Sequence, residues 1–136
     1  MSLTDRANVV SIVRLWKADM KITCIWADDT GESHYKDMEV PLSDAGPLGA
    51  MSERLPVTSL ILRENPTGYD YGWHTAPREQ YIVMLEGQVE ITVSDGDVRT
   101  FGPGEIVLVT DTIGKGHASR SPDGKPRKSL FLPLHE

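Results

Sequence analysis

The chain is poor in the groups that mark several common functions. It has one cysteine, Cys24, among 136 residues, which excludes an internal disulfide and a thiolate metal cluster. No activating base stands out near Cys24 in the sequence, so it is expected to be a buried structural thiol. Long apolar runs are also missing. None approaches the ~18 residues of a membrane-spanning helix, and the start of the chain lacks a basic stretch followed by an apolar signal. A soluble, cytoplasmic protein with no membrane partner is therefore expected. Basic residues are scarce relative to acidic ones, 14 against 20, for a formal charge of -6. That balance argues against a nucleic-acid partner, which needs a clustered Lys/Arg footprint. The one basic cluster, Lys125-Pro126-Arg127-Lys128, is short and interrupted, and reads as a solvated turn. No repeat, low-complexity tract or helical periodicity of useful length occurs.

What is present is strand and turn. The length suits one domain with one core, residues 1–136, and 39% hydrophobic with 25% charged residues is ordinary globular usage. Apolar residues alternate with period two over 58–63, 80–85, 88–93 and 105–109, with Gly, Pro and Asp between the runs. Asp95-Gly96 sits between two such runs and supplies the positive φ of a tight hairpin. Phe101-Gly102-Pro103-Gly104 marks the next reversal. Residues 8–16 and 21–26 are rich enough in β-branched and aromatic side chains to be strands, joined onward by the turn Asp28-Asp29-Thr30-Gly31. Residues 43–50 form a loop that either folds over a pocket mouth or simply crosses the surface. The whole pattern predicts an all-β domain whose short strands close on themselves.

The most informative stretch runs from Gly68 through His74, Ala76 and Gln80 to Gly87. Gly68, His74 and Gly87 keep the spacing of a motif with a Gly, five residues, His-x-His, a Glu and a closing Gly. Further on, Gly104 and Gly114-Lys115-Gly116-His117 fit a second motif that ends in Gly-x-x-His, although its Gly-to-His interval is two residues longer, Thr112 replaces a proline and Ser121 an asparagine. In these features the chain resembles the cupin superfamily over residues 57–121, and its segment Asp111-Thr-Ile-Gly-Lys-Gly-His117 is similar to one found in a subgroup of small single-domain cupins. The resemblance implies a double-stranded β-helix, or jelly-roll, barrel with extra N-terminal strands within 8–42 that pack on the barrel or on a partner subunit. A homodimer through those strands is expected.

The same resemblance places His74, Ala76, Gln80 and His117 on one cavity wall, at the positions where the family holds its metal. Ala76 stands for a histidine and Gln80 for the glutamate, so two ligands are replaced. Tight divalent sites are built from imidazole and carboxylate donors, and two histidines with a neutral amide make a weak one. Gln80 reads either as a buried amide satisfied by its neighbours or as a ligand-binding group. His74 and His117 are the candidate acid and base, since an imidazole moves protons near neutral pH without a metal. Some metal-free cupins that this arrangement resembles are sugar epimerases in which a histidine paired with an acid abstracts a proton. Asp111 or Asp70 fills that role here only if the fold sets one beside an imidazole; otherwise Asp111 and Thr112 are turn residues. Arg78, Lys115 and Arg120 flank the motifs and read either as solvated surface charges or as cavity-rim groups that select an anion, with Arg78 the ligand-binding candidate among them. Tyr69, Tyr71 and Trp73 alternate out of phase with His74 and are expected to face outward. His34 reads as an ordinary polar residue at a strand entry.

Three functions follow from this reading and stay open, including whether the protein is an enzyme. The first is binding or acid–base isomerisation of a small polar or anionic metabolite, independent of metal or only weakly dependent on it. The second is a metal-dependent oxygenase or lyase, with Fe, Mn, Ni or Zn held by His74, Gln80, His117 and water. The third is a non-catalytic ligand sensor.

Overall fold

A computed structural model describes residues 19–135; the strand expected at 8–16 lies outside them. By contacts the chain divides into two compact units. The smaller includes Glu39–Leu55, where β3 (Ser43–Asp44) and β4 (Ala50–Met51) pair antiparallel around a single 3-10 turn, Gly46–Leu48. The stretch expected to be a loop is thus a miniature hairpin.

The larger unit holds Ile22–Met38 and residues 56–135. Its strands are most of β1 (Met20–Ala27) and of β2 (Ser33–Val40), then β5 (Ile61–Asn65), β6 (Asp70–His74), β7 (Gln80–Glu86), β8 (Val89–Val93), β9 (Val98–Phe101), β10 (Ile106–Val109), β11 (His117–Arg120) and β12 (Arg127–Pro133). Two sheets result, one in the order β2-β1-β10-β7-β12-β5 and one in the order β6-β11-β8-β9. This is the cupin-type jelly-roll that the two motifs imply. Period two is clearest in β8, where Val89, Ile91 and Val93 are buried and the residues between them are half-buried. β10 sits inside its sheet, paired with β1 on one side and β7 on the other, and buries three residues in succession, Val107 to Val109. Ile25, Met84, Val107 and Val109 from the larger sheet meet Val89, Ile91, Val93 and Phe101 from the smaller one. Each such fully buried side chain contributes roughly 1.5–3 kcal/mol.

The strand expected at 58–63 begins later, at Ile61. Its partner β12 ends at Pro133, which has no N–H to continue the ladder. Pro133 contributes only its carbonyl, which accepts a bond from the Thr58 N–H at 2.8 Å. Arg127 departs from expectation more sharply. It is not in a solvated turn but buried at the start of β12, 6% exposed, with its Nε donating to Asn65 Oδ1.

Candidate functional site

Side chains from both sheets line a cavity of about 220 Å³ between them. Its apolar wall is built by inward-facing residues of β7, β8 and β10, among them Ile82, Met84, Ile91 and Val107. Its polar wall follows β6 and β11, which pair antiparallel with His74 directly opposite His117. The two imidazole rings meet edge to face, with centroids 4.5 Å apart. Gln80 enters from the first position of β7, 3% exposed.

His117 is held from behind. Asp111, fully buried on the approach to β11, places Oδ2 at 2.6 Å from His117 Nδ1. The carboxylate accepts the Nδ1 proton, which leaves the Nε2 lone pair as the free end of the neutral ring. Asp111 is therefore the partner of an imidazole and not a turn residue. Its backbone carbonyl serves as well, accepting the Ala76 N–H at 3.0 Å. Asp70, the other candidate acid, is exposed on β6.

His74 is fixed in the same sense by a different group. Its Nδ1–H donates to the Gly72 carbonyl at 2.7 Å, so its Nε2 also carries the lone pair. Burial pushes this imidazole below its ordinary range, with the bond to Gly72 opposing in part and the neighbouring His117 adding to the depression.

The phase of β6 differs from strict alternation. Between the pairs His117↔His74 and Ser119↔Tyr71, β11 advances two residues and β6 three. This bulge turns Tyr71, and with it Tyr69, to the same side as His74. Both tyrosines line the cavity, contrary to the outward orientation expected of them, while Trp73 stays exposed. Tyr71 stacks on His74 with centroids 4.1 Å apart, and Tyr69 places its hydroxyl 3.3 Å from Ser119 Oγ.

The expected rim cations stand elsewhere. Arg78 is exposed in the turn before β7 and does not line the cavity. Lys115 pairs with Glu32, and Arg120 forms a two-bond pair with Glu90. The arginines that do reach the cavity are Arg63 and Arg127. Sequence reasoning missed both, because one lies before the first motif and the other in a segment whose Lys and Pro neighbours suggest solvent.

The loop that carries Asp111 to His117 is buttressed by the β1–β2 turn. Ser33 Oγ donates to the Gly116 carbonyl at 2.7 Å, and the Lys115 N–H donates to Gly31 O at 2.9 Å. Gly31 and Gly114 approach so closely that a Cβ on Gly114 would run into the backbone of Gly31. His34, next to Ser33, bridges two carboxylates, Asp28 Oδ2 at 2.7 Å and Asp95 Oδ2 at 2.8 Å.

Metal-binding cupins use imidazole and carboxylate ligands at the positions discussed above, and this donor set does not fit a tight centre of that kind. Ala76 contributes only a methyl and Gln80 a neutral amide. Among the described residues no group of three or more His, Cys, Asp or Glu is placed to hold a metal ion. Gln80 Oε1 and Asp111 Oδ1 are nevertheless buried without a hydrogen-bond partner. Cys24 is buried and free, and its burial raises the thiol above the ordinary range, as suits a structural residue. No helix of the described residues is long and apolar enough to cross a membrane.

No family model and no curated protein matches this chain. Solved structures similar to it include protein NMB1881 from Neisseria meningitidis, 25% identical over 56% of this chain and 72% of that one, with a TM-score of 0.44. The cupin domain of Schizosaccharomyces pombe Cnp3 is 11% identical over 82% of this chain and 85% of that one, with a TM-score of 0.46. An RmlC-like cupin from Shewanella frigidimarina is 17% identical over 84% of this chain and 86% of that one, with a TM-score of 0.41.

Proposed function

We propose that the protein binds a small polar molecule between its two sheets and moves a proton on it with the His117–Asp111 pair. The observation that carries this reading is the buried 2.6 Å contact between the carboxylate and Nδ1 of His117. A buried carboxylate on one nitrogen fixes the tautomer, aims the other nitrogen and stabilises the imidazolium that forms when it takes a proton.

The chemistry that fits is proton abstraction next to a carbonyl. On an α-hydroxy carbonyl compound His117 Nε2 takes the C–H proton, the C–H electron pair forms an enediolate, the hydroxyl proton passes to the former carbonyl oxygen, and the imidazolium returns its proton to the former carbonyl carbon. Isomerisation results, with no oxidant or reductant consumed. His74 is a second lone-pair nitrogen beside the first, suited to accept a substrate hydroxyl. Tyr69, Tyr71 and Ser119 supply hydroxyl donors along the same wall, the groups needed to stabilise a developing oxyanion. The cavity also favours a small substrate. Its volume is only about 220 Å³.

The test is hydrogen exchange. Small carbonyl compounds that raise the melting temperature of the protein are incubated with it in D2O, and loss of the adjacent C–H signal is followed by proton NMR. Exchange in the wild type and none in His117→Ala supports the reading. Stabilisation without exchange in any bound compound makes the protein a binder or sensor and overturns the catalytic part.

A second reading rests on Gln80 Oε1, buried and unpartnered on the wall it shares with two lone-pair imidazole nitrogens. A weakly held divalent ion would satisfy that atom, and elemental analysis of the purified protein tests for it.

A further inference from the structure

Arg127 is the least accessible cation among the described residues and lacks an acidic partner. It is 6% exposed, and its Nε donates to the neutral Asn65 Oδ1 at 3.2 Å. Among the described residues no carboxylate pairs with its guanidinium, whose side-chain hydrogen-bond partners are Asn65 and Tyr69. Arg63, half-buried on β5, forms no ion pair with any of the described residues either. Both guanidinium groups lie over the ring of Tyr69, with Cζ 5.8 Å from its centroid for Arg63 and 4.9 Å for Arg127, and Arg63 also covers Phe131 at 5.0 Å. Aromatic faces, and the Tyr69 hydroxyl that accepts a bond from Arg127, offset part of the cost of burying the cations, but they supply no negative charge. A buried charge without a counter-charge costs several kcal/mol. Nature places such groups where an anion completes them.

Position gives the anion its setting. Along the polar wall the order is His117, His74, Tyr71, Tyr69 and then the two arginines, as the successive ring contacts show. The cations therefore stand at the end of the cavity away from the imidazole pair. Between the two ends the opposite wall is apolar, formed by Ile82, Met84, Val89, Ile91 and Val107. The cavity thus has a cationic end, an apolar middle and a proton-transfer end.

We infer that Arg63 and Arg127 form an oxyanion-binding subsite and that the ligand is a short-chain carboxylic acid with an apolar body. The carboxylate is held by the arginines, and the distal carbon or carbonyl is presented to His117. This deepens the reading of the cavity as a proton-transfer site and rests on it for the distal end, though not for the anion. A carboxylate suits the subsite better than a phosphate. A single negative charge loses less hydration on entering an apolar chamber, and a planar carboxylate matches the guanidinium fork.

Calorimetric titration of the full chain tests this with butyrate, isobutyrate, their amides and inorganic phosphate. Both acids are expected to bind, with the amides at least tenfold weaker. Arg63→Gln and Arg127→Lys should each weaken acid binding about tenfold or more and leave amide binding unchanged. Arg63→Gln is the safer variant, since Arg63 is half-buried, and a melting curve without ligand confirms that each variant is folded. Equal binding of acid and amide, or wild-type acid affinity in a folded Arg63→Gln, overturns the subsite. Phosphate binding tighter than either acid overturns the carboxylate assignment. Acid binding that depends on the arginines, with no hydrogen exchange in any bound compound, leaves the subsite standing and removes the proton-transfer reading alone.

Discussion

Asp111 Oδ2 lies 2.6 Å from His117 Nδ1, and both side chains are withdrawn from solvent. The loop that leaves β10 carries Asp111 and returns to His117 at the head of β11, which brings the two together. If the contact aims and supports the imidazole, Asp111→Asn should retain the shape of the site and lose most of its chemistry. Exchange in D2O should fall about 10²–10⁴-fold, the usual contribution of a positioned acid or base, while ligand affinity changes by less than tenfold. Equal losses in affinity and exchange would mean that Asp111 serves only to hold the fold.

Gly116 gives a test of how tightly His117 is placed. Its φ is +72°, and a Cβ added there would run into the backbone carbonyl of His74. Gly116→Ala is expected to cost at least about 1–3 kcal/mol from the backbone conformation alone. Urea denaturation should show a lower midpoint with an unchanged slope. Gly96→Ala, also at positive φ but in open space, should cost less. The reverse order of the two variants would show that the His74–Gly116 contact is not rigid.

The pH dependence of stability should have two limbs with opposite signs. His34 is raised above 6.5 by its bonds to Asp28 and Asp95, so its folded form binds a proton more tightly than the unfolded chain. Its contribution is complete below pH 6.5 and fades as pH rises through the higher folded value. His74 is depressed below 6.5 by burial, so its contribution is present above pH 6.5 and is lost as pH falls through the lower folded value. Melting temperatures measured between about pH 5 and 8.5 should show the alkaline decline reduced in His34→Gln and the acid decline reduced in His74→Gln. Parallel curves for wild type and both variants would remove these two histidines from the pH response.

Much of the fold was legible, because alternation survives wherever a strand has one buried face. β7, β8 and β10 start and stop within a residue or so of their expected bounds, since Gly and Pro flank them. The site was only half legible. His74, Gln80 and His117 carry spacing, and spacing is visible in a sequence. Asp111 looked like a turn residue because a carboxylate before Thr and Gly usually is one, and its burial depends on the β1–β2 turn packed behind the loop. Tyr69 and Tyr71 face the cavity against the alternation of the sequence because a bulge is one extra residue in a ladder, and a single chain shows no partner to count against. Arg127 was hidden by Lys125 and Lys128, since composition averages over neighbours while a strand alternates between them.

Ala76 and Gln80 can be used to ask whether the cavity is a metal site in all but two side chains. Ala76 is 3% exposed and lines the cavity with Gln80, His74 and His117. Restoring the imidazole and the carboxylate by Ala76→His with Gln80→Glu supplies four donors of the types divalent transition metals prefer. The cost is extra volume at a buried methyl, about 1–3 kcal/mol. Wild-type protein loaded with Ni²⁺, Mn²⁺ or Zn²⁺ and desalted should retain far less than one ion per chain. The double variant should retain close to one, and adding His117→Ala should remove it. Single Gln80→Glu separates charge from ligand number: a gain near that of the double variant would make the carboxylate the limiting donor. Stoichiometric metal in the wild type would show instead that Gln80 Oε1 and two imidazoles suffice, and proton transfer at His117 would then give way to ligation.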